Sequence, residues 1–120
     1  MRSGCLRYHP DTVRLSGRVR MERHFGPPNY GETPAEDERL RVPVLALSAP
    51  ITVCADSAGQ FEPKPLRGVR RVQLDLSELS PRPRLTPGRA VAVRGTLYRG
   101  FNGHHFTDAV LTVTEVSAAR

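Results

Sequence analysis

The chain has 120 residues, enough for one domain and too few for a second with its own core. At 38% hydrophobic and 25% charged it has a globular composition, and no run approaches the roughly 18 apolar residues that a membrane helix needs. With no tryptophan and 6% aromatics, the core must be built from valine, leucine and alanine, which suits strands better than a large ligand cavity. The formal charge of +6 comes from seventeen arginines and one lysine, Lys64, set against 12 acids. The arginine fork suits phosphate and carboxylate, so nucleic acid, anionic lipid or an acidic protein are the physical candidates. The arginines are scattered rather than blocked into a tail, and their interleaving with Glu22, Asp75 and the acids at 36–38 reads as a solvated surface.

Eleven prolines and ten glycines cut the chain into short pieces with little room for a long helix. Val13 to Met21 alternates cleanly, with Val13, Leu15, Gly17, Val19 and Met21 on one face and Arg14, Ser16, Arg18 and Arg20 on the other. This is a half-buried strand, and Gly17 on its inward face marks a bend or a close backbone approach, as at the corner of a small barrel. A long loop follows through Gly26-Pro27-Pro28-Asn29-Tyr30-Gly31 to Glu38. Leu40 to Leu47 reads as the second strand, continued by Ile51 to Val53, with Pro43 pushing it towards an edge or bulge.

After a second loop, 56–68, Val72, Leu74 and Leu76 alternate with Arg71, Gln73 and Asp75 in a third strand. Residues 77–88 carry Pro81, Pro83 and Pro87, so at most a turn of helix fits there. Val91, Val93, Gly95 and Leu97 alternate with Ala92, Arg94, Thr96 and Tyr98, and Val110 to Val116 is β-branched in most positions. Gly100 to Thr107 joins these two strands as a hairpin loop. Five strands, a short irregular or helical insert between the third and fourth, and glycine breaks in the first and fourth predict an all-β domain. The expected architecture is a five-stranded Greek-key barrel like the OB-fold, the oligonucleotide/oligosaccharide-binding barrel, spanning 1–120.

No enzyme constellation assembles: G-x-S-x-G, H-E-x-x-H, G-x-x-x-x-G-K and G-x-G-x-x-G are all missing from the sequence. The expectation is a non-catalytic protein with no cofactor. Cys5 and Cys54 lack the spacing of a zinc site. If they pair, the bridge closes 49 residues and contributes roughly 4 kcal/mol in the loop-entropy model. Pairing implies an oxidising compartment. The opening MRSGCLRYHP holds no apolar leader, so export requires that a leader was removed. An alternative makes Ser3-Gly4-Cys5 the remnant of a lipoprotein cleavage site, with Cys5 lipidated.

The most unusual stretch is Gly103-His104-His105-Phe106-Thr107-Asp108. Adjacent histidines on a strand point to opposite faces, so a metal site around His104 and His105 needs His24, His9 or Asp108 brought in from elsewhere. The alternative gives one imidazole to the barrel rim and the other to water. In the first loop, the stiff Pro27-Pro28 pair presents Asn29 and Tyr30 either as ligand contacts or with Tyr30 folded back as a lid on the barrel. Arg14, Arg18 and Arg20 share a strand face and, with Tyr98 as a stacking platform, would make a phosphate track. The competing reading is a solvated barrel exterior.

These residues together resemble a bacterial family of exported domains, domain of unknown function forty-four thirty-one. The resemblance is carried by Cys5-Leu6 with Tyr8 and Pro10, by Val13, Leu15 and Gly17, and by Gly26-Pro27-Pro28-Asn29-Tyr30. It continues through Pro50-Ile51, Cys54, Val72-Gln73-Leu74, the stretch 88–97, and Gly103-His104-His105 with Thr107. It implies an exported domain behind a cleaved signal, consistent with a Cys5–Cys54 bridge, and it supplies no activity. The family usually carries a third histidine where this chain has Phe106, and an acid where His9 stands, so the shared role of the motif falls on His104, His105 and Thr107.

The sequence therefore predicts a monomeric periplasmic or secreted binding module, with Asn29, Tyr30, His104, His105 and Thr107 as its contact surface. Its ligand would be an envelope protein or glycan, in an inhibitor or immunity-type role. The competing expectations are a nucleic-acid-binding barrel using Arg14, Arg18, Arg20 and Tyr98, and a metal site around His104 and His105.

Overall fold

The computed structural model describes residues 4–55, 65–100 and 105–119. Five strands form one sheet: β1 (Thr12–Phe25), β2 (Arg39–Val53), β3 (Leu66–Asp75), β4 (Ala90–Arg99) and β5 (Ala109–Ala118). The sheet closes on itself in the order β1-β2-β3-β5-β4, with β3 and β5 parallel and every other neighbour antiparallel. This is the expected Greek-key barrel. Among the described residues no helix occurs, so the insert between β3 and β4 is irregular.

Alternation explains the core. Directly opposed residues share a face of the sheet, and the pairs Leu15–Val93, Val19–Leu45, Leu45–Val72, Leu74–Leu111 and Leu97–Leu111 all point inward and are buried. Each such side chain contributes about 1.5–3 kcal/mol by leaving water. Leu79 and Leu85 of the β3–β4 insert pack against this core. The insert is also tied to β1, since Gly88 N–H donates to the Val19 carbonyl at 2.7 Å and Val19 N–H donates to the Arg89 carbonyl at 3.0 Å.

Gly17 sits where β1 changes partners. It faces Leu47 of β2 and Val91 of β4, and a Cβ there would run into the Ala46 carbonyl. Gly95 of β4 is the matching corner, its missing Cβ leaving room for the Thr112 carbonyl beside a register shift. Both backbones approach more closely than any side chain allows, as expected for a small barrel.

Three strands run further than the sequence pattern suggests, β3 beginning at Leu66 within the loop expected over 56–68. β1 continues to Phe25 and pairs with Arg39–Val42 of β2 as a two-stranded ribbon beyond the last β1–β4 pair. There the inward-facing row passes from Val19 and Met21 to Arg23 and Phe25 because it has left the core. β2 likewise runs unbroken to Val53, absorbing Ser48 to Pro50 through register shifts against β3. Pro43 lies one residue beyond the Val44–Gln73 pair, the last of the β2–β3 ladder at that end, and stands opposite Met21 of β1, so on its β3 side no ladder is left to interrupt.

The N-terminal segment crosses one end of the barrel. Leu6 bridges Val53 and Tyr8 bridges Leu97, and His9 N–H donates to the Leu97 carbonyl at 2.8 Å. Tyr8 is buried there, and desolvation holds its hydroxyl pKa above the ordinary value against the lowering influence of Arg99. Cys5 and Cys54 form a disulfide that staples this segment to the end of β2.

Candidate functional site

The loop between β1 and β2 is organised around one carboxylate. Asp37 is 6% exposed and accepts hydrogen bonds from the N–H groups of Asn29 (2.8 Å), Gly31 (2.6 Å) and Thr33 (3.2 Å) and from the Thr33 hydroxyl (3.0 Å). Burial raises its pKa, but these donors outweigh burial and hold it below the ordinary value. The sequence reading placed this acid on a solvated surface with Glu36 and Glu38, and the structure corrects that. The available signal was a short acid four residues after Thr33 and six after Gly31, spacing that lets one side chain collect several backbone donors.

Around this anchor the loop has a fixed shape. Tyr30 N–H donates to the Gly26 carbonyl at 3.0 Å, Glu38 N–H to the Pro27 carbonyl at 2.9 Å, and the Asn29 amide to the Thr33 hydroxyl at 3.0 Å. Tyr30 has φ 51°, left-handed backbone that a non-glycine residue adopts at a cost of order 1–2 kcal/mol. Its side chain is 45% exposed, the exposed large hydrophobic among the described residues. It is therefore not folded back as a lid.

The final hairpin returns against β3. Gly100 N–H donates to the Asp108 carbonyl at 2.9 Å, closing the loop. Thr107 is 7% exposed; its hydroxyl accepts from the Gln73 N–H at 2.9 Å and donates to the Ala109 carbonyl. The Gln73 side-chain oxygen accepts from the Phe106 N–H at 2.7 Å. Thr107, expected as a ligand contact, is thus an internal brace. Gln73, expected on a polar outer face, is buried because the returning segment covers it.

Phe106 stacks on His24 of β1, with ring centroids 4.2 Å apart, and His24 lies 2.8 Å from Glu22. Glu22 also receives a two-pronged grip from Arg71 of β3, at 2.8 and 2.6 Å. The Arg71 hydrogen bond is the main cause that lowers the Glu22 pKa to about 2. This chain of contacts fastens the ribbon to Phe106, at the returning end of the final hairpin. His105 lines a hollow of about 260 Å³ with Pro43, Asp75 and Arg82. His104 lies outside the described residues, and among those described no cluster of three His, Cys, Asp or Glu is placed to hold a metal.

The arginines expected to form a track do share one outer row of β1. Arg14 faces Arg94, Arg18 faces Ala90 and Arg20 faces Val44, and all three arginines are exposed. Tyr98 lies on the same face of β4, its ring stacked on His9 at 5.1 Å. Sequence reasoning missed Asp37, whose partners are local, and the Glu22–Arg71 pair and the Phe106–His24 stack, which join positions distant along the chain.

No curated protein and no solved structure matches this chain. A family model does match, over residues 71–117, from β3 through the final hairpin to β5. That stretch contains the braced Gln73–Thr107 pair and His105, and lies outside the Tyr30 loop and the disulfide. Over residues 71–117, less than half of its length, the chain is similar to the domain of unknown function DUF4431.

Proposed function

We propose that this protein is a non-catalytic binding module of the bacterial periplasm or exterior, recognising an envelope protein or glycan. Contact is made through Asn29 and Tyr30 of the β1–β2 loop together with His104 and His105 of the final hairpin. The observation that carries this reading is Tyr30, held in a left-handed conformation by a loop built on a buried carboxylate, yet left 45% exposed. Glycine would fill that position at lower conformational cost and an inward-turned ring would bury apolar area. A residue that does neither is suited to contact, since a rigid amphipathic ring binds with little further loss of freedom. The Cys5–Cys54 disulfide supports an oxidising compartment, and no helix among the described residues is long and apolar enough to cross a membrane.

Co-sedimentation with purified peptidoglycan sacculi, and capture on immobilised protein from a periplasmic extract, test the reading. The expected result is retention in one of the two, lost in Tyr30→Ala or His105→Ala and kept when Arg14, Arg18 and Arg20 are replaced by glutamate. No retention in either, or retention unaffected by Tyr30→Ala, overturns it. The row of Arg14, Arg18 and Arg20 favours a second reading, a nucleic-acid-binding barrel. That reading requires affinity for a single-stranded oligonucleotide that falls steeply with salt and disappears in the glutamate variant.

A further inference from the structure

A hollow lined by none of the Tyr30-loop residues lies at the β1–β4 seam. It encloses about 480 Å³, flanked by Arg14 and Arg18, with Ser16 of β1 and Ser48 of β2 also on its walls. Its floor is made of small residues, Gly17, Ala90 and Ala118. That floor is a consequence of the barrel: Gly17 cannot carry a side chain beside the Ala46 carbonyl, and Ala90 lies at the start of β4 where Ala119 N–H reaches its carbonyl at 3.3 Å.

Among the described residues nothing compensates the charge in this hollow: no acid lines it, and the ion pairs are Glu22–His24 and Glu22–Arg71, on the ribbon side of the barrel. Arg14 stands directly opposite Arg94, a like-charge cross-strand pair that is unfavourable on its own. Glu115 faces Arg94 from the far side and does not reach the hollow. The Arg18 guanidinium is held in place, one terminal nitrogen donating to the Gly88 carbonyl at 2.8 Å. A guanidinium has five donors, so the remaining ones are available from a fixed position.

We propose that this hollow binds a phosphorylated sugar or polyol, its phosphate between Arg14 and Arg18 and its remaining atoms over the small-residue floor. Guanidinium forks and hydroxyls on its walls are the donor types that suit phosphate oxygens. The volume exceeds what a phosphate alone occupies and falls in the range of small-molecule sites. The concavity favours a compact ester over an extended polynucleotide, which would follow the whole Arg14–Arg20 row.

Calorimetric titration of the full chain at low salt with glucose 6-phosphate, inorganic phosphate and glucose tests the proposal. Glucose 6-phosphate is expected to bind more tightly than inorganic phosphate, and glucose not at all. Arg14→Gln and Arg18→Gln are each expected to weaken it tenfold or more, whereas Arg41→Gln, on the ribbon, leaves it unchanged. Equal loss in Arg41→Gln, equal affinity for inorganic phosphate, or a single-stranded oligonucleotide binding a hundredfold more tightly through the same arginines would overturn the proposal. The Tyr30 variants leave this titration untouched, so its failure and failure of the envelope-binding reading are separate results.

Discussion

The outer face of β1 has two ends of opposite character. At the ribbon end, Glu22 is gripped by Arg71, leans on His24, and through Phe106 connects to the final hairpin. At the seam end, Arg14 faces another arginine and Arg18 meets only a backbone carbonyl. A saturated cluster is architecture: its polar groups are spent on one another and tie β1 to β3 and to Phe106. An uncompensated cluster costs stability and has binding capacity left over. The same distinction separates Asp37, with its four donors, from Tyr30, which that loop holds out to solvent.

The largest expected effect comes from the corner joining the two ends. Gly17→Val pushes a side chain into the Ala46 carbonyl, and a loss of about 3 kcal/mol or more is expected. Chemical denaturation should then show both ends failing together; a near-normal midpoint would break the idea that one rigid barrel positions them. Next is Cys54→Ser, which frees a 49-residue loop and should cost roughly 4 kcal/mol at most in the loop-entropy model. Its effect should fall on stability and leave glucose 6-phosphate affinity intact, since neither cysteine lines the hollow.

Acid separates the two ends more finely. The Glu22 pKa is lowered from 4.5 to about 2 in the folded chain, so the pair with Arg71 contributes stability above about pH 4.5 and loses it as pH falls towards 2. Arg71 is half exposed, so solvent screening reduces the contribution to about 1 kcal/mol. Glu22→Gln should therefore lower the melting temperature by about 3–5 °C at pH 7 and flatten its fall between pH 4.5 and 2. Arg14→Gln should do the reverse of Glu22→Gln at neutral pH, leaving the melting temperature level or slightly raised while the phosphate titration weakens. A marked drop in melting temperature for Arg14→Gln would mean the seam is architecture too.

The barrel was legible because its signals are local. Strict alternation from Val13 to Val19, the glycine on the inward face, and valine-rich strands at the end of the chain each follow from one side of a strand meeting a core. Where the strand left the core, the pattern failed: past Met21 the inward row carries Arg23 and Phe25, so β1 reads as shorter than it is. Asp37 was hidden between Glu36 and Glu38, because composition cannot tell a carboxylate that collects backbone donors from one in water. Thr107 and Gln73 were misassigned for the same reason, each paired with a residue over thirty positions away. In the proposed contact surface the stiffness of the Pro27-Pro28 loop was legible, whereas the exposure of Tyr30 was not, since a contact and a lid read alike, and neither was the Phe106–His24 stack.

The most direct test of the binding account is Tyr30→Gly, with the melting temperature and envelope retention measured on the same preparation. Glycine relieves the left-handed strain without touching the Asp37 anchor, so the account predicts an unchanged or slightly higher melting temperature together with loss of retention. A lowered melting temperature with retention intact would make Tyr30 a structural residue and contradict the account.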